Sequence, residues 1–366
     1  MGYIHEQPGW PDLKWDEGRL ASTLAAVRFS QGRLLGKMEA MGFPFRDEAG
    51  LTTLTRDVVK SSAIEGERLN AEEVRSSIAR RLGMDGGKNR PASREVEGIV
   101  EMMLDATQHC RLSLTKERLF SWHASLFPAG RSGMRRIVTG AWRNDESGPM
   151  QVVSGPLGKE RIHFEAVPAG RLDAEMDAFV EWFEAPHSID PILFAGLAHL
   201  RFLTIHPFED GNGRIARAIA DLILARSEET ERRFYSLSGQ IERDRKAYYL
   251  QLERTQSSDL DVTAWLDWFL GCLGRAIGSA EETLATILVN AAIWEKANRH
   301  PVNERQKIVL NRLLDGFRGN LNTSKYAKLA KCSEDTALRD IKALCEWGIL
   351  ERNAAGGRST SYALSK

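Results

Sequence analysis

The chain of 366 residues is short of cysteine. Cys110, Cys272, Cys332 and Cys345 stand far apart, with no pair at a metal-binding or redox spacing. That excludes a disulfide scaffold or zinc ribbon and reads as the reduced thiols of a cytoplasmic protein. Long apolar runs are missing too: none reaches the roughly 18 residues of a membrane span. The start, MGYIHEQPGWPDLKW, has no charged stretch leading into an apolar block, so neither membrane insertion nor a secretory leader is expected. Net charge is absent, with 50 basic against 50 acidic residues, which excludes a uniformly basic coat for nucleic acid. Internal repeats and low-complexity segments are lacking as well. What remains is an ordinary globular composition, long enough for two or three domains.

The dominant pattern is helical. Residues 16–41 carry Leu20, Leu24, Val27, Leu34, Leu35 and Met38 at near-helical spacing, and Gly-Phe-Pro-Phe at 42–45 breaks that element. Leu51, Leu54, Val58 and Ile64 predict a second helix over 51–65, stopped by Gly66. Helical patterns resume at 93–110, 115–127, 171–184 and 190–204, the last opened by Asp190 as N-cap and Pro191. Residues 140–170 differ in kind: rich in Gly and Pro, with β-prone MQVVS and RIHFEAV, they predict a small hairpin. From Arg299 to Lys366, 13 Lys and Arg face 7 Asp and Glu, so a neutral chain hides a basic C-terminal module.

The densest chemistry is TIHPFEDGNGRIARAIADLIL, residues 204–224. Two apolar helices are interrupted by a knot of one His, two acids, Gly-Asn-Gly and two Arg. Gly211, Asn212 and Gly213 suit a turn whose N–H groups converge on an anion at the positive end of the following helix. Arg214 and Arg217 are three apart and share a face of its first turn, which points to more than one phosphate. Asp210 beside the cradle suits Mg²⁺, which is held by one carboxylate together with phosphate oxygens. His206 is a candidate general base near neutral pH. His199, seven residues earlier, has no third ligand at a convincing spacing and reads as a hydrogen-bonded core residue. His109, His123 and His163 are read in the same way.

HPFEDGNGR followed by Ile-Ala-Arg resembles the Fic signature, His-x-Phe-x-Asp/Glu-Gly-Asn-Gly-Arg-x-x-Arg, at all eight specified positions. The resemblance implies a mainly α Fic-fold core with a small β-hairpin flap. It further implies transfer of AMP from ATP, with Mg²⁺, to a Ser, Thr or Tyr hydroxyl of a protein, releasing pyrophosphate. By the same analogy His206 deprotonates the target, Phe208 anchors the loop, and Asp210 holds Mg²⁺. Asn212 and the glycine N–H groups stabilise charge on the α-phosphate, while Arg214 and Arg217 hold the outer phosphates. Doc-like relatives carry Lys where Gly213 stands, so Gly213 favours AMP transfer over phosphorylation. SSAIEGE, residues 61–67, resembles the family's inhibitory motif Ser/Thr-x-x-x-Glu-Gly/Asn, carried by Ser61, Glu65 and Gly66. The resemblance implies that Glu65 pairs with Arg217 in place of the γ-phosphate, a contact that a bidentate Arg fork makes strong. YYLQLERTQ, 248–256, resembles the adenine-pocket segment, with Tyr248, Tyr249 and Gln256 as contacts, although Asn is commoner where Gln256 falls. Val152, Val153, Ser154 and Gly155 stand where the flap clamps a target segment by strand addition.

Residues 323–364 resemble a winged helix-turn-helix domain. Arg339 and Lys342 point out from its second helix and Arg352 and Arg358 lie on the wing. In a DNA-binding version these meet bases and phosphates, and the same module serves protein contacts equally well. The expected organisation is an N-terminal helical region over 1–110 with the inhibitory helix at 51–66, a catalytic core over 111–275, a connecting helix over 276–298 and the winged helix over 299–366. The family further implies a homodimer. Two alternatives stay open: a transcription regulator with a regulatory Fic core, and a bifunctional enzyme that also removes AMP.

Overall fold

The computed structural model describes residues 2–84, 92–146, 148–155, 159–230, 232–314, 317, 319–353 and 360–365. The chain divides into two compact units, Met1–Ala280 and Glu281–Lys366. It is mainly α. The first unit runs α1 (Glu17–Glu39), α2 (Phe43–Ile64), α3 (Ala71–Arg81), α4 (Arg94–Gln108), α5 (Lys116–Leu126), β1 (Arg131–Ser132), β2 (Arg135–Arg136), β3 (Gln151–Ser154), β4 (Arg161–Glu165), α6 (Leu172–Glu184), α7 (Pro191–Ile205), α8 (Asn212–Glu228), α9 (Leu237–Arg243) and α10 (Arg245–Gln256). The boundary between units falls within α11 (Thr263–Ala297).

The centre of the first unit is the pair α7 and α8. Every residue of α7 from Ile192 to Ile205 is buried, as expected of a helix that is apolar almost all round. Asp190 caps it by accepting from the Ile192 N–H at 2.8 Å. Around this pair α4 packs on α5 and α8, and α2 packs on α3 and α9. Gly98 lets α4 and α5 touch, because a Cβ there would sit 1.7 Å from the Ser125 carbonyl oxygen. Among the described residues no helix is long and apolar enough to cross a membrane.

Two elements depart from the periodicity. Gly-Phe-Pro-Phe does not simply separate two helices: Gly42 is the N-cap of α2 and Pro44 lies in its first turn, where a missing N–H costs nothing. The helix therefore starts eight residues before the expected 51. It ends at Ile64, leaving Glu65 at the C-cap rather than inside it. α3 was not anticipated, although Asn70 caps it by accepting from Glu72 and Glu73 N–H groups at 2.9 and 3.3 Å.

The second unit contains α12 (Glu304–Leu314), α13 (Thr323–Ala330), α14 (Glu334–Glu346), β5 (Leu350–Arg352) and β6 (Tyr362–Leu364). β5 and β6 pair antiparallel, and Leu321 bridges to Tyr362. Its core joins Ile293, Val309, Leu310, Tyr326, Ile341 and Leu344. Arg358 lies outside the described residues.

Candidate active site

The loop between α7 and α8 is held at each residue. His206 ends α7 in the left-handed region, φ 53° and ψ 58°, an uncommon conformation for a non-glycine residue. Its N–H donates to the Phe202 carbonyl at 2.9 Å, and Nδ1 lies 3.2 Å from the Leu203 carbonyl oxygen. That contact needs the proton on Nδ1, which leaves Nε2 as the free lone pair. Burial pushes the imidazole down to about 4, so it is neutral at physiological pH. Arg143, which the sequence pattern did not single out, grips the same turn. Its Nε donates to the His206 carbonyl at 2.8 Å and its N–H to the Pro207 carbonyl at 3.0 Å.

Phe208 is fully buried, stacked on His123 with ring centroids 4.1 Å apart and close to Trp142. Asn212 closes the turn over it: Oδ1 accepts from the Phe208 N–H at 3.0 Å and Nδ2 donates to the Phe208 carbonyl at 2.7 Å. One N–H and one oxygen lone pair of its carboxamide are thus engaged by the loop itself. Gly211 has φ 82°, and a Cβ there would lie 2.9 Å from the Phe127 ring. Gly211, the N-cap of α8, has no side chain to cap its first N–H groups, and no side-chain cap is made among the described residues.

Asp210 accepts from the Gly211 N–H at 2.5 Å and from the Ser132 hydroxyl, and stands 3.8 Å from Arg214. Its side chain is 39% exposed, so lone pairs stay open to solvent. Among the described residues no three His, Cys, Asp or Glu gather to hold a metal alone. A single open carboxylate beside an anion cradle fits Mg²⁺, which keeps waters and phosphate oxygens as its other ligands.

The two arginines are both engaged. Arg217 is fully buried. Its Nη2 donates to Glu65 Oε1 and to the Ser61 carbonyl, each at 2.9 Å, and its Nε donates to Ser61 Oγ at 2.9 Å. The expected bidentate pair is therefore absent: one carboxylate oxygen and Ser61 share the fork. Arg214 Nη1 donates to Glu67 Oε2 at 2.7 Å, a partner the sequence reading missed. Asp57, Ser61 and Glu65 follow one another at four-residue spacing along one face of α2. Asp57 is buried, accepts from Ser236 Oγ at 2.5 Å and ties α2 to α9, while burial pushes its carboxyl up to about 8.

A cavity of about 1220 Å³ lies over the loop. It brings together Glu65, His206, Asp210, Gly211, Asn212 and Gly213 with Val152, Val153 and Ser154 of β3 and Tyr248, Tyr249 and Gln256 of α10. Arg214 and Arg217 are not on its wall; each is paired with a carboxylate from the end of α2. Gly155 is not on the wall either. It turns the hairpin at φ 108°, where a Cβ would lie 3.0 Å from the Lys159 carbonyl oxygen. Tyr248 is buried, with its hydroxyl 2.8 Å from His199 Nε2, while the Tyr249 hydroxyl donates to the Ile64 carbonyl at 3.3 Å. Gln256 is buried, with Nε2 3.4 Å from Thr204 Oγ1. β3 pairs with β4 through a bulge between Val152 and Val153, and its second edge has no partner strand among the described residues. His163 lies 2.9 Å from Glu253 and 2.5 Å from Ser154 Oγ, fastening the hairpin to α10.

Residues 113–224 match the Fic/DOC family, and residues 3–84 match a domain of unknown function, DUF4172. Relatives include the protein adenylyltransferase Fic of Drosophila melanogaster, 28% identical over 174 residues, 46% of this chain and 32% of the relative. The protein of the same name from Nematostella vectensis is 34% identical over 108 residues, 29% of this chain and 23% of that one. The chain thus spans about a third or less of the length of these relatives. In fold it is similar to a Fic family protein from Desulfovibrio desulfuricans, with TM-score 0.55, 22% identity and coverage of 94% and 95% of the two chains. It is also similar to a Fic domain containing signaling protein from Bacteroides thetaiotaomicron, with TM-score 0.51, 17% identity and coverage of 70% and 96%. Residues 113–224, which carry the signature loop within a mainly helical fold, match the Fic/DOC family.

Proposed function

We propose that this chain transfers AMP from ATP to a hydroxyl of a protein, with release of pyrophosphate, and that Glu65 holds it in an inhibited state. The observation that carries the reading is the loop from His206 to Arg217, with Arg217 paired to Glu65. His206 Nε2 takes the proton of the target hydroxyl, whose oxygen attacks the α-phosphorus as pyrophosphate leaves. The tautomer set by Leu203 and the low imidazole basicity keep Nε2 unprotonated before the reaction. Backbone N–H groups at the start of α8 face the charge that grows on the α-phosphate, and they need no reorganisation to do so. Asp210 would hold Mg²⁺, whose charge offsets that of the phosphates. Arg217 serves either a carboxylate or a phosphate, so the Glu65 pair excludes productive ATP. The unpaired edge of β3 would align the target segment by strand addition.

ATP labelled on its α-phosphate, given with Mg²⁺ to wild type, Glu65→Gly and Glu65→Gly/His206→Ala, tests this. Label is expected on Glu65→Gly alone, with the double variant still binding ATP. Equal labelling of Glu65→Gly and the double variant would remove His206 as the base.

For the C-terminal unit, the surface of α14 favours protein contact over DNA. Its exposed residues are Glu334, Asp335, Leu338, Arg339, Lys342 and Glu346, three acids against two bases. The acids Glu334 and Asp335 occupy the helix start, where a groove-reading helix places its base contacts.

A further inference from the structure

The turn after α2 delivers two carboxylates to the loop, and only Glu65 belongs to the motif. Gly66 adopts φ 90°, and the chain doubles back so that the Glu67 N–H donates to the Ser62 carbonyl at 3.0 Å. This left-handed cap places Glu65 and Glu67 on either side of one glycine, both facing the start of α8. Glu65 meets Arg217 at 2.9 Å, and Glu67 meets Arg214 at 2.7 Å. Arg214 is itself buried, with 4% of its side chain exposed and its guanidinium 5.0 Å over the Phe127 ring. Its other carboxylate neighbour, Asp210, stands at 3.8 Å. Each arginine also retains donor capacity: Arg214 Nε and Arg217 Nη1 are buried without a hydrogen-bond partner among the described residues. Two buried cations one helical turn apart, each with an unused N–H, make two adjacent anion subsites, and each is now filled by a carboxylate of the same turn.

We infer that Glu67 is a second inhibitory carboxylate, closing the subsite at Arg214 as Glu65 closes the one at Arg217. A triphosphate must displace both. The inference rests on reading the loop as a polyphosphate site. Removing Glu65 alone leaves Arg214 neutralised, so Glu65→Gly retains part of the block. Glu67 is the weaker lock, because its side chain is 48% exposed and water competes for its carboxylate.

The test is titration of the full chain with inorganic tripolyphosphate by calorimetry. The proteins are Glu65→Gly alone and combined with Glu67→Gln or Glu67→Asp, with melting curves to verify folding. Gln removes the charge. Asp keeps it but is one methylene too short for the 2.7 Å contact. Both double variants are expected to bind tripolyphosphate about three- to tenfold more tightly than Glu65→Gly. In labelling assays both should also show a lower KM for ATP. Affinity unchanged by Glu67→Gln overturns the inference. So does a gain with Gln but none with Asp, which would mean distant repulsion rather than occupancy of Arg214. If Glu65→Gly transfers no AMP while Glu67→Gln still tightens tripolyphosphate binding, the activity reading fails and the second lock stands.

Discussion

A methyl group at position 213 should reverse its effect on stability depending on whether Glu65 is present. Gly213 lies in the first turn of α8, and a Cβ built there would sit 2.1 Å from Glu65 Oε1 and 3.0 Å from its Cδ. No carboxylate tolerates that approach, but a glutamate is flexible and leaves. Gly213→Ala therefore acts as an eviction of Glu65 from Arg217. Arg217 keeps its bonds to Ser61 and loses its counter-charge in a fully buried position. Breaking a buried ion pair from one side costs about 3–5 kcal/mol. The Glu65 side chain is 27% exposed, which places this pair lower, at about 2–3 kcal/mol. For a unit of this size that lowers the melting temperature by about 3–5 °C. With Glu65→Ala already present there is no pair to break, and alanine in a helix is better than glycine by up to about 1 kcal/mol. There the same methyl should be neutral or stabilising. Thermal unfolding of wild type, both single variants and the double variant gives the cycle, with an expected coupling of about 2 kcal/mol or more. Coupling under about 0.5 kcal/mol would refute the claim that Gly213 is what admits Glu65 to the loop. The same contact makes a lysine at 213 incompatible with Glu65 as placed here.

Asn212→Ala should cost about 2–5 kcal/mol in urea unfolding, because it strands the buried N–H and carbonyl of Phe208. Asn212→Asp should not rescue it, since a carboxylate oxygen would then face the Phe208 carbonyl; full rescue would mean that the donor half of the staple is idle. The transfer rate of Glu65→Gly should stay level from pH 8 down to about 5.5. His206 is held down to about 4, so the neutral base persists until the pH approaches that value. An acid limb centred near the ordinary histidine value of about 6.5 would show that the imidazole is not desolvated in the working enzyme.

The parts legible in the sequence were those written in contiguous residues. The loop from His206 to Arg217 needs no tertiary information to be found, because its spacing alone sets a turn, a helix start and two arginines on one face. The stripe Ser61–Glu65 was legible for the same reason, being one helical turn. The caps at Asp190 and Asn70 were equally local, though the second went unread. What only the tertiary structure decided is which side chains those local elements meet. Glu67 and Arg214 are 147 residues apart, and nothing in SSAIEGE shows that the turn at Gly66 aims a second carboxylate. Arg143 is 63 residues from the His206 carbonyl it grips, in a Gly- and Pro-rich stretch with no period to read. Asn212 looked like a ligand donor because its residue type suits that role. Its position above the Phe208 backbone also commits one side-chain N–H and the side-chain oxygen to the fold. Periodicity and spacing report how a segment is built, and contact across the core depends on how separately built segments are packed. That is why the loop and Glu65 could be named from the chain alone, while the second carboxylate beside it, Glu67, had to be seen in place.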